Sequence, residues 1–154
     1  MSDNSRRRYS YRNLDIWDRA QDMAVDVIKL TRRLPKRDEV AWEISKQLIR
    51  AAGSVGANIA EGHGRMSRKV YRQYLVISRG SASEVGSWLD LLKRLDYISM
   101  EEDNRRQIEL DSLIGILTFK MKSLADAIEA TGTRVREDSP EYGSTENELE
   151  DFEP

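Results

Sequence analysis

Residues 50–65 read RAAGSVGANIAEGHGR and are dominated by small side chains. A glycine inside a helix destabilises it by about 1 kcal/mol relative to alanine, so the internal glycines of this stretch indicate close approach of a neighbouring helix. Gly62 and Gly64 follow Glu61, and glycine supplies the left-handed conformation that closes many helices. We therefore predict a closely packed helix that ends near Glu61. Its apolar stripe consists of Ile44, Leu48, Ala52, Val55 and Ile59.

A row of polar side chains runs beside this stripe. Its first members are spaced by four, four and three residues, which places them on one face of the helix. Two further polar residues lie in the next predicted helix. We call this set the polar seam. We expect Arg50, Asn58, Glu61 and Glu84 within it to form a buried hydrogen-bonded network that fixes how the two helices meet, with ligand binding as the alternative interpretation. The polar seam comprises Arg50, Ser54, Asn58, Glu61, Ser81 and Glu84.

Three more helical patterns make the helix described above the second of four. The first runs from Leu14 or Asp15 to Leu34. It ends there because the residue before Pro35 is biased away from helical angles. Asp38 is a suitable N-cap for the second helix.

Ser67 begins the third helix, which extends to about Asp96. Ser99 and Glu102 have the spacing of a capping box at the start of the fourth helix, which ends at Gly132. No alternating strand pattern competes, so we predict an all-α, antiparallel up-down-up-down four-helix bundle. The predicted core positions of the third helix are Val70, Tyr74, Ile77, Ser81, Val85, Trp88 and Leu92. Those of the fourth are Ile108, Leu110, Leu113, Ile114, Leu117, Met121, Leu124 and Ile128.

The predicted bundle, residues 14–132, is flanked by two segments of opposite charge. Residues 1–13 form a basic arm, which we expect to be disordered or loosely docked, and residues 133–154 form an acidic tail, which we expect to be disordered. The net charge of −2 conceals this asymmetry. Residues 134–154 hold 2 basic and 8 acidic side chains, which leaves 23 basic and 19 acidic side chains before them.

The composition excludes several classes of protein. There is no cysteine, which excludes a disulfide scaffold and a cysteine metal site and fits a reducing compartment. No apolar run approaches the roughly 20 residues that span a bilayer. We expect a cytoplasmic protein with no membrane contact and no cofactor.

Two motifs connect the second and third predicted helices to a known family. The run Asn58-Ile59-Ala60-Glu61-Gly62, followed by Gly80-Ser81 and Glu84, resembles the four-helix-bundle proteins encoded in intervening sequences of large-subunit ribosomal RNA genes. The resemblance extends from about residue 16 to residue 130. It implies a bundle that assembles into a ring-like homopentamer with a basic surface and binds nucleic acid without catalysis. The same fold family includes accessory proteins of diversity-generating retroelements, so it also implies a reverse transcriptase as an alternative partner.

Positive charge is concentrated at the start of the third predicted helix. Residues 62–83 contain no acidic side chain, and their basic side chains recur at helical spacing. Contacts from such a stripe would be mainly to phosphates, strongly salt-dependent and similar for RNA and DNA. A solvated charged face is the alternative. The candidate nucleic-acid-binding residues are Arg65, Arg68, Lys69, Arg72 and Arg79, together with Arg6, Arg7 and Arg8 of the arm.

Two other functions compete with nucleic-acid binding. The single histidine, His63, lies between two glycines with no cysteine or serine motif nearby, so we expect neither a catalytic nor a metal site and predict that the protein is not an enzyme. Self-association is the third hypothesis, since the aromatics exceed what a small bundle core needs and interfaces are enriched in them. Core burial is the alternative for each of these aromatics, namely Trp42, Tyr71, Trp88 and Tyr97.

Overall fold

The computed structural model describes the backbone of residues 10–137 and the side chains as far as Thr131. Four helices follow a short 3₁₀ turn at Tyr11–Asn13, and short connections join successive helices. No strand occurs in the described range, so the predicted all-α four-helix bundle is confirmed. The helices are α1 (Asp15–Thr31), α2 (Glu39–Gly64), α3 (Arg68–Arg94) and α4 (Met100–Glu137).

The two predicted flanking segments lie mostly beyond the described range, which omits residues 1–9 and 138–154. The last residues of the predicted arm are docked, because the ring of Tyr11 packs edge-on against Trp17 with a centroid distance of 5.1 Å. None of the helices within residues 10–137 combines the length and the apolarity needed to cross a bilayer.

The predicted helix starts are confirmed by hydrogen bonds. Asp38 Oδ1 accepts from the backbone amides of Val40 and Ala41 at 3.0 and 3.1 Å. Ser99 and Glu102 form the reciprocal capping box, with each side chain accepting from the backbone amide of the other at 3.1 and 3.2 Å. In each case a side-chain oxygen satisfies amides that the first helical turn leaves without partners.

The predicted helix ends are partly wrong. α2 continues through Gly62 to Gly64, and its closing left-handed residue is Met66, with φ of 52°. α3 ends at Arg94, and Asp96 takes the left-handed conformation with φ of 59°. No glycine in the described range has positive φ. α1 stops at Thr31 rather than Leu34, and α4 continues past Gly132 to Glu137.

The core register predicted for α3 is also wrong in most positions. The residues that fill the core are Tyr71, Leu75, Ser78, Ala82, Val85, Leu89 and Leu92. The predicted core residue Ile77 is 52% exposed, and its neighbour Ser78 is fully buried instead. Ser78 donates to the backbone oxygen of Val55 at 2.8 Å, so α2 and α3 approach too closely at this level for a larger side chain. In α4 the predicted core residue Ile108 is 71% exposed.

Candidate nucleic-acid interface

The end of the α2–α3 hairpin carries the exposed basic residues that the sequence singled out. Three residues, Arg65 to Ser67, reverse the chain between the two helices. Ser67 Oγ accepts from the amide of Val70 at 3.4 Å and so fixes the first turn of α3. The exposed side chains of Arg68, Lys69 and Arg72 project from that turn and the next one. We call Arg65, Arg68, Lys69 and Arg72 the basic cluster.

Most of the basic cluster is not neutralised by the chain itself. Among the side chains described, Arg68, Lys69 and Arg72 form no ion pair, and neither does the half-buried Arg79 further along α3. The positive end of the α3 dipole lies at the same place and adds to their field. An anion approaching the hairpin end therefore meets a positive potential.

Arg65 is the exception within the basic cluster. Its guanidinium donates to Glu61 Oε1 at 2.6 Å, and the hydroxyl of Tyr74 donates to the same oxygen at 2.8 Å. The hydrogen bond from Arg65, followed by that from Tyr74, holds the pKa of Glu61 below its ordinary value. Arg65 is thereby held in place, with part of its charge already balanced.

The six residues of the polar seam do not form one network. Asn58 Nδ2 donates to the backbone oxygen and to Oγ of Ser54, at 2.7 and 2.9 Å, and Ser81 Oγ donates to Ser54 Oγ at 3.0 Å. These three residues are half-buried and link α2 to α3.

The longer side chains predicted for the seam lie outside this link. Arg50 is exposed and donates to Gln47 at 3.4 Å, and the exposed Glu84 accepts from the indole nitrogen of Trp88 at 3.2 Å. Glu61 is exposed as well and pairs with Arg65. The prediction of a single buried network was wrong for these three residues because long charged side chains reach solvent. Arg50 and Glu84 have their partners on their own helices, whereas Glu61 accepts from Arg65 and from Tyr74 of α3 at the surface.

A cavity of about 550 Å³ opens beside the basic cluster. Its size lies within the range of small-molecule sites. The ring of His63 meets that of Tyr71 edge-on, with a centroid distance of 5.8 Å. Met66, 90% exposed, borders the same space. The complete lining is His63, Gly64, Met66, Ser67, Arg68 and Tyr71.

Tyr71 has the one buried side-chain oxygen or nitrogen that lacks a hydrogen-bond partner within the described part of the chain. Its side chain is only 9% exposed, and burial raises the pKa of its hydroxyl. Leaving such a group unsatisfied costs about 1–3 kcal/mol. The sequence indicated Tyr71 as an interface or core aromatic and not as part of a cavity, because the cavity requires the end of one helix and the start of another.

The other candidates were the arginines of the basic arm, the single histidine and a metal site. Arg6, Arg7 and Arg8 lie outside the described residues. His63 is half-buried against Tyr71. Within the described range no group of three or more histidine and carboxylate side chains is arranged to hold a metal ion.

Comparison with known proteins identifies the family. The family model described as 23S rRNA-intervening sequence protein matches residues 12–118. The chain belongs to this family. The matched part of this intervening-sequence protein includes α1, α2, α3, the basic cluster and the cavity. The resemblance drawn from the Asn58–Gly62 and Gly80-Ser81 motifs is thus confirmed.

A solved structure agrees with this assignment. It is a crystal structure of a protein of unknown function from the S23 ribosomal protein family of Bacteroides thetaiotaomicron. The two chains share 29% sequence identity with a TM-score of 0.64, and the match covers 70% of this chain and 98% of that one. No curated protein matches the chain.

Proposed function

We propose that this intervening-sequence protein binds nucleic acid, without catalysing a reaction, through the basic cluster at the end of the α2–α3 hairpin. The observation that carries the proposal is the group of three exposed cations, Arg68, Lys69 and Arg72, that have no acidic partner among the described side chains. Phosphates are the ligands that such a group attracts in nucleic acids. The expected compartment is the cytoplasm.

Binding through the basic cluster is dominated by phosphate contacts, which carry no direct sequence information. Each neutralised phosphate releases counterions, so the affinity falls steeply as salt rises. RNA and DNA both present this backbone, and both belong in the test.

A filter-binding titration at two salt concentrations tests the proposal. The variant replaces Arg68, Lys69 and Arg72 with alanine. Its matched control replaces Lys29, Arg33 and Arg94, three exposed cations near the ends of α1 and α3, which lie at the opposite end of the hairpin and outside the apolar groove described below. We expect the first variant to lose at least roughly tenfold in affinity at low salt and to show a salt slope shallower by up to about 3. Equal binding by wild type and this variant would refute the proposal.

We also propose that the protein is a homo-oligomer, with the homopentamer implied by the family resemblance as the expected state. An apolar groove of about 380 Å³ lies between the end of α1 and the start of α2. It is lined by Leu34, Pro35, Trp42 and Ile49, among others, and Trp42 is 57% exposed there. A large aromatic left this exposed beside an apolar groove is typical of an interface.

Mass photometry or light scattering tests for assembly. A mass near five subunits supports the homopentamer, whereas a single-subunit mass at all concentrations contradicts self-association. An assembly protein that acts on a reverse transcriptase is the alternative function. That alternative is favoured if the protein oligomerises but no nucleic acid binds at low salt.

A further inference from the structure

We propose that the cavity beside the basic cluster receives a single unpaired nucleotide, with its base against His63 and Tyr71 and its phosphate near Arg68. This inference rests on the proposed nucleic-acid binding and adds to it a specific feature of the ligand. With this cavity occupied, the end of the α2–α3 hairpin distinguishes unpaired from paired nucleotides in addition to attracting any phosphate backbone.

The lining of the cavity suits a nucleobase. Two aromatic rings, His63 and Tyr71, border the space, and aromatic side chains are the usual partners of unstacked bases. Arg68 belongs both to the cavity lining and to the basic cluster. A base in the cavity would therefore have its phosphate close to charges already placed to receive it.

The hydroxyl of Tyr71 has no explanation in the fold of the monomer. It is buried, and no described protein atom is its hydrogen-bond partner. A phenylalanine would fill the same space without burying a polar group, so the hydroxyl weakens the bundle unless a ligand pairs with it. The hydroxyl is out of reach of water in the structure. A base edge, which presents both donors and acceptors, therefore becomes its partner only when the side chains lining the cavity move as the base enters.

Met66 is a second residue that the fold alone does not favour. Its φ of 52° places it in the left-handed region, which glycine and asparagine adopt with less strain. Its side chain is nevertheless large, apolar and 90% exposed at the border of the cavity. A flexible thioether at this position can pack against the face of a base that enters.

The nucleotide must be unpaired because pairing and stacking hide the base. In a duplex the base edges are occupied and its faces are covered by neighbours. A terminal or extruded nucleotide meets neither obstacle and can enter a concave site. The basic cluster then binds the phosphates of the adjoining paired region. That region contributes affinity, and the cavity contributes the preference for an unpaired nucleotide.

The test compares two double-stranded oligonucleotides, one blunt-ended and one with a single unpaired 3′ nucleotide, each made in RNA and in DNA from two separate strands so that no loop supplies unpaired nucleotides. We expect wild type to prefer the overhang, by roughly tenfold if one base is stacked. Tyr71→Phe and Met66→Gly should each reduce this preference and leave the affinity for the blunt duplex unchanged. Tyr97→Phe, which removes a tyrosine hydroxyl outside the cavity, is the matched control and should keep the preference.

Thermal melting separates this role from a structural one. Tyr71→Phe and Met66→Gly should melt at or above the wild-type temperature, because each removes a feature that weakens the bundle. Arg72→Ala should weaken binding of both duplexes equally and keep the ratio of their affinities.

The possible failures point to different causes. If Tyr71→Phe and Met66→Gly both keep the wild-type preference, or if wild type binds both duplexes equally, the cavity proposal is overturned and the basic-cluster proposal stands. If wild type binds no nucleic acid at low salt, both proposals fail.

Discussion

Gly62 shows how one missing methyl group positions the candidate interface. A Cβ built on this residue would lie 2.4 Å from Cβ of Tyr74 and 3.1 Å from Cδ2 of Tyr71. The first of these atoms is fixed to the backbone of α3 and cannot move aside as the tip of a flexible side chain can. Gly62 thus allows the end of α2 to contact the start of α3, where the basic cluster and the cavity lie.

Gly62→Ala should destabilise the protein by roughly 1–3 kcal/mol, because the two helices would have to separate. The matched control is Gly115→Ala in α4, where an added Cβ meets nothing within 4 Å. That control should be neutral or stabilising by up to about 1 kcal/mol, as alanine is the better helix former. Urea unfolding of both variants measures the difference, and a Gly62 variant as stable as wild type would contradict the close contact.

Single residues also show which signals the sequence carries locally. Asp38, Ser67 and Ser99 could be identified as helix starts because a cap bonds to amides two or three residues away. The left-handed residue Met66 could not, because Gly62 and Gly64 near the end of α2 adopt this conformation with less strain and were the expected candidates. Gly62 is required for packing instead, because a side chain there would collide with Tyr74 on α3.

At the scale of the helices, α2 and α3 form the most extensive contact and α1 and α4 the weakest among adjacent pairs. The α2–α3 contact is close at Ser78, whose small side chain lets its hydroxyl reach the backbone oxygen of Val55. Periodicity predicted both helices, yet it placed Ile77 in the core of α3 and left Ser78 out. Hydrophobicity favours isoleucine, and only the proximity of the partner helix shows that a small side chain is needed.

Two substitutions at Ser78 test the closeness of this contact. Ser78→Ala removes one interhelical hydrogen bond and should cost about 0.5–1.5 kcal/mol. Ser78→Leu places a larger side chain against Val55 and should cost more, roughly 2–4 kcal/mol in total, through overpacking. Urea unfolding gives both values. Equal stability of the two variants would mean that α2 and α3 can separate freely at this level.

The weaker contact between α1 and α4 is reinforced by charge. Asp26 of α1 accepts from Arg105 at 3.1 Å and from Arg106 at 2.6 Å. Arg106 is only 6% exposed, so its charge depends on this carboxylate. Burial alone raises the pKa of Asp26, but the hydrogen bonds and charges of the two arginines outweigh it and hold the pKa below the ordinary value of 3.8.

The lowered pKa of Asp26 fixes the sign of a pH dependence. A carboxyl group with a lower pKa in the folded state stabilises the protein above its unfolded pKa, and the effect disappears as pH falls through the folded pKa. Asp26→Asn should therefore cost roughly 2–4 kcal/mol at pH 7, and the difference from wild type should shrink below about pH 4. Urea unfolding across this range measures it, with Asp22→Asn, an exposed position on α1, as the control. A difference that stays constant with pH would contradict the assignment.

At the scale of the whole molecule, the sequence allowed four helices, their order and their starts to be predicted, because these depend on neighbours along the chain. The exposed basic residues of α3 were also predictable, since a charged stripe at helical spacing must face solvent. The cavity was not, because His63 and Tyr71 meet only after α2 and α3 pack. The division of the polar seam into a half-buried link and exposed side chains was not predictable either, because it depends on which side chains reach solvent.

The two proposals, assembly and nucleic-acid binding, make a joint prediction about salt. The basic cluster of one subunit has four cations, so contacts through this cluster alone give a salt slope no steeper than about −4, at roughly −0.9 for each phosphate neutralised. An oligomer presents several clusters to one long probe, and its slope should be steeper. Filter binding over a salt series, with mass photometry on the same samples, measures slope and assembly together.

Trp42→Ala should dissociate the oligomer and bring the slope to the single-subunit range, because it removes the exposed ring beside the apolar groove of α2. Its affinity for a short probe that reaches only one subunit should stay unchanged, since Trp42 lies far along α2 from the basic cluster at its end. Ile108→Ala, which trims an exposed side chain of α4 outside this groove, is the control and should keep both mass and slope. A Trp42 variant with the oligomer mass and the salt slope of wild type would show that the groove is not the interface. A variant that dissociates but keeps the wild-type salt slope would show that a single subunit makes all the phosphate contacts.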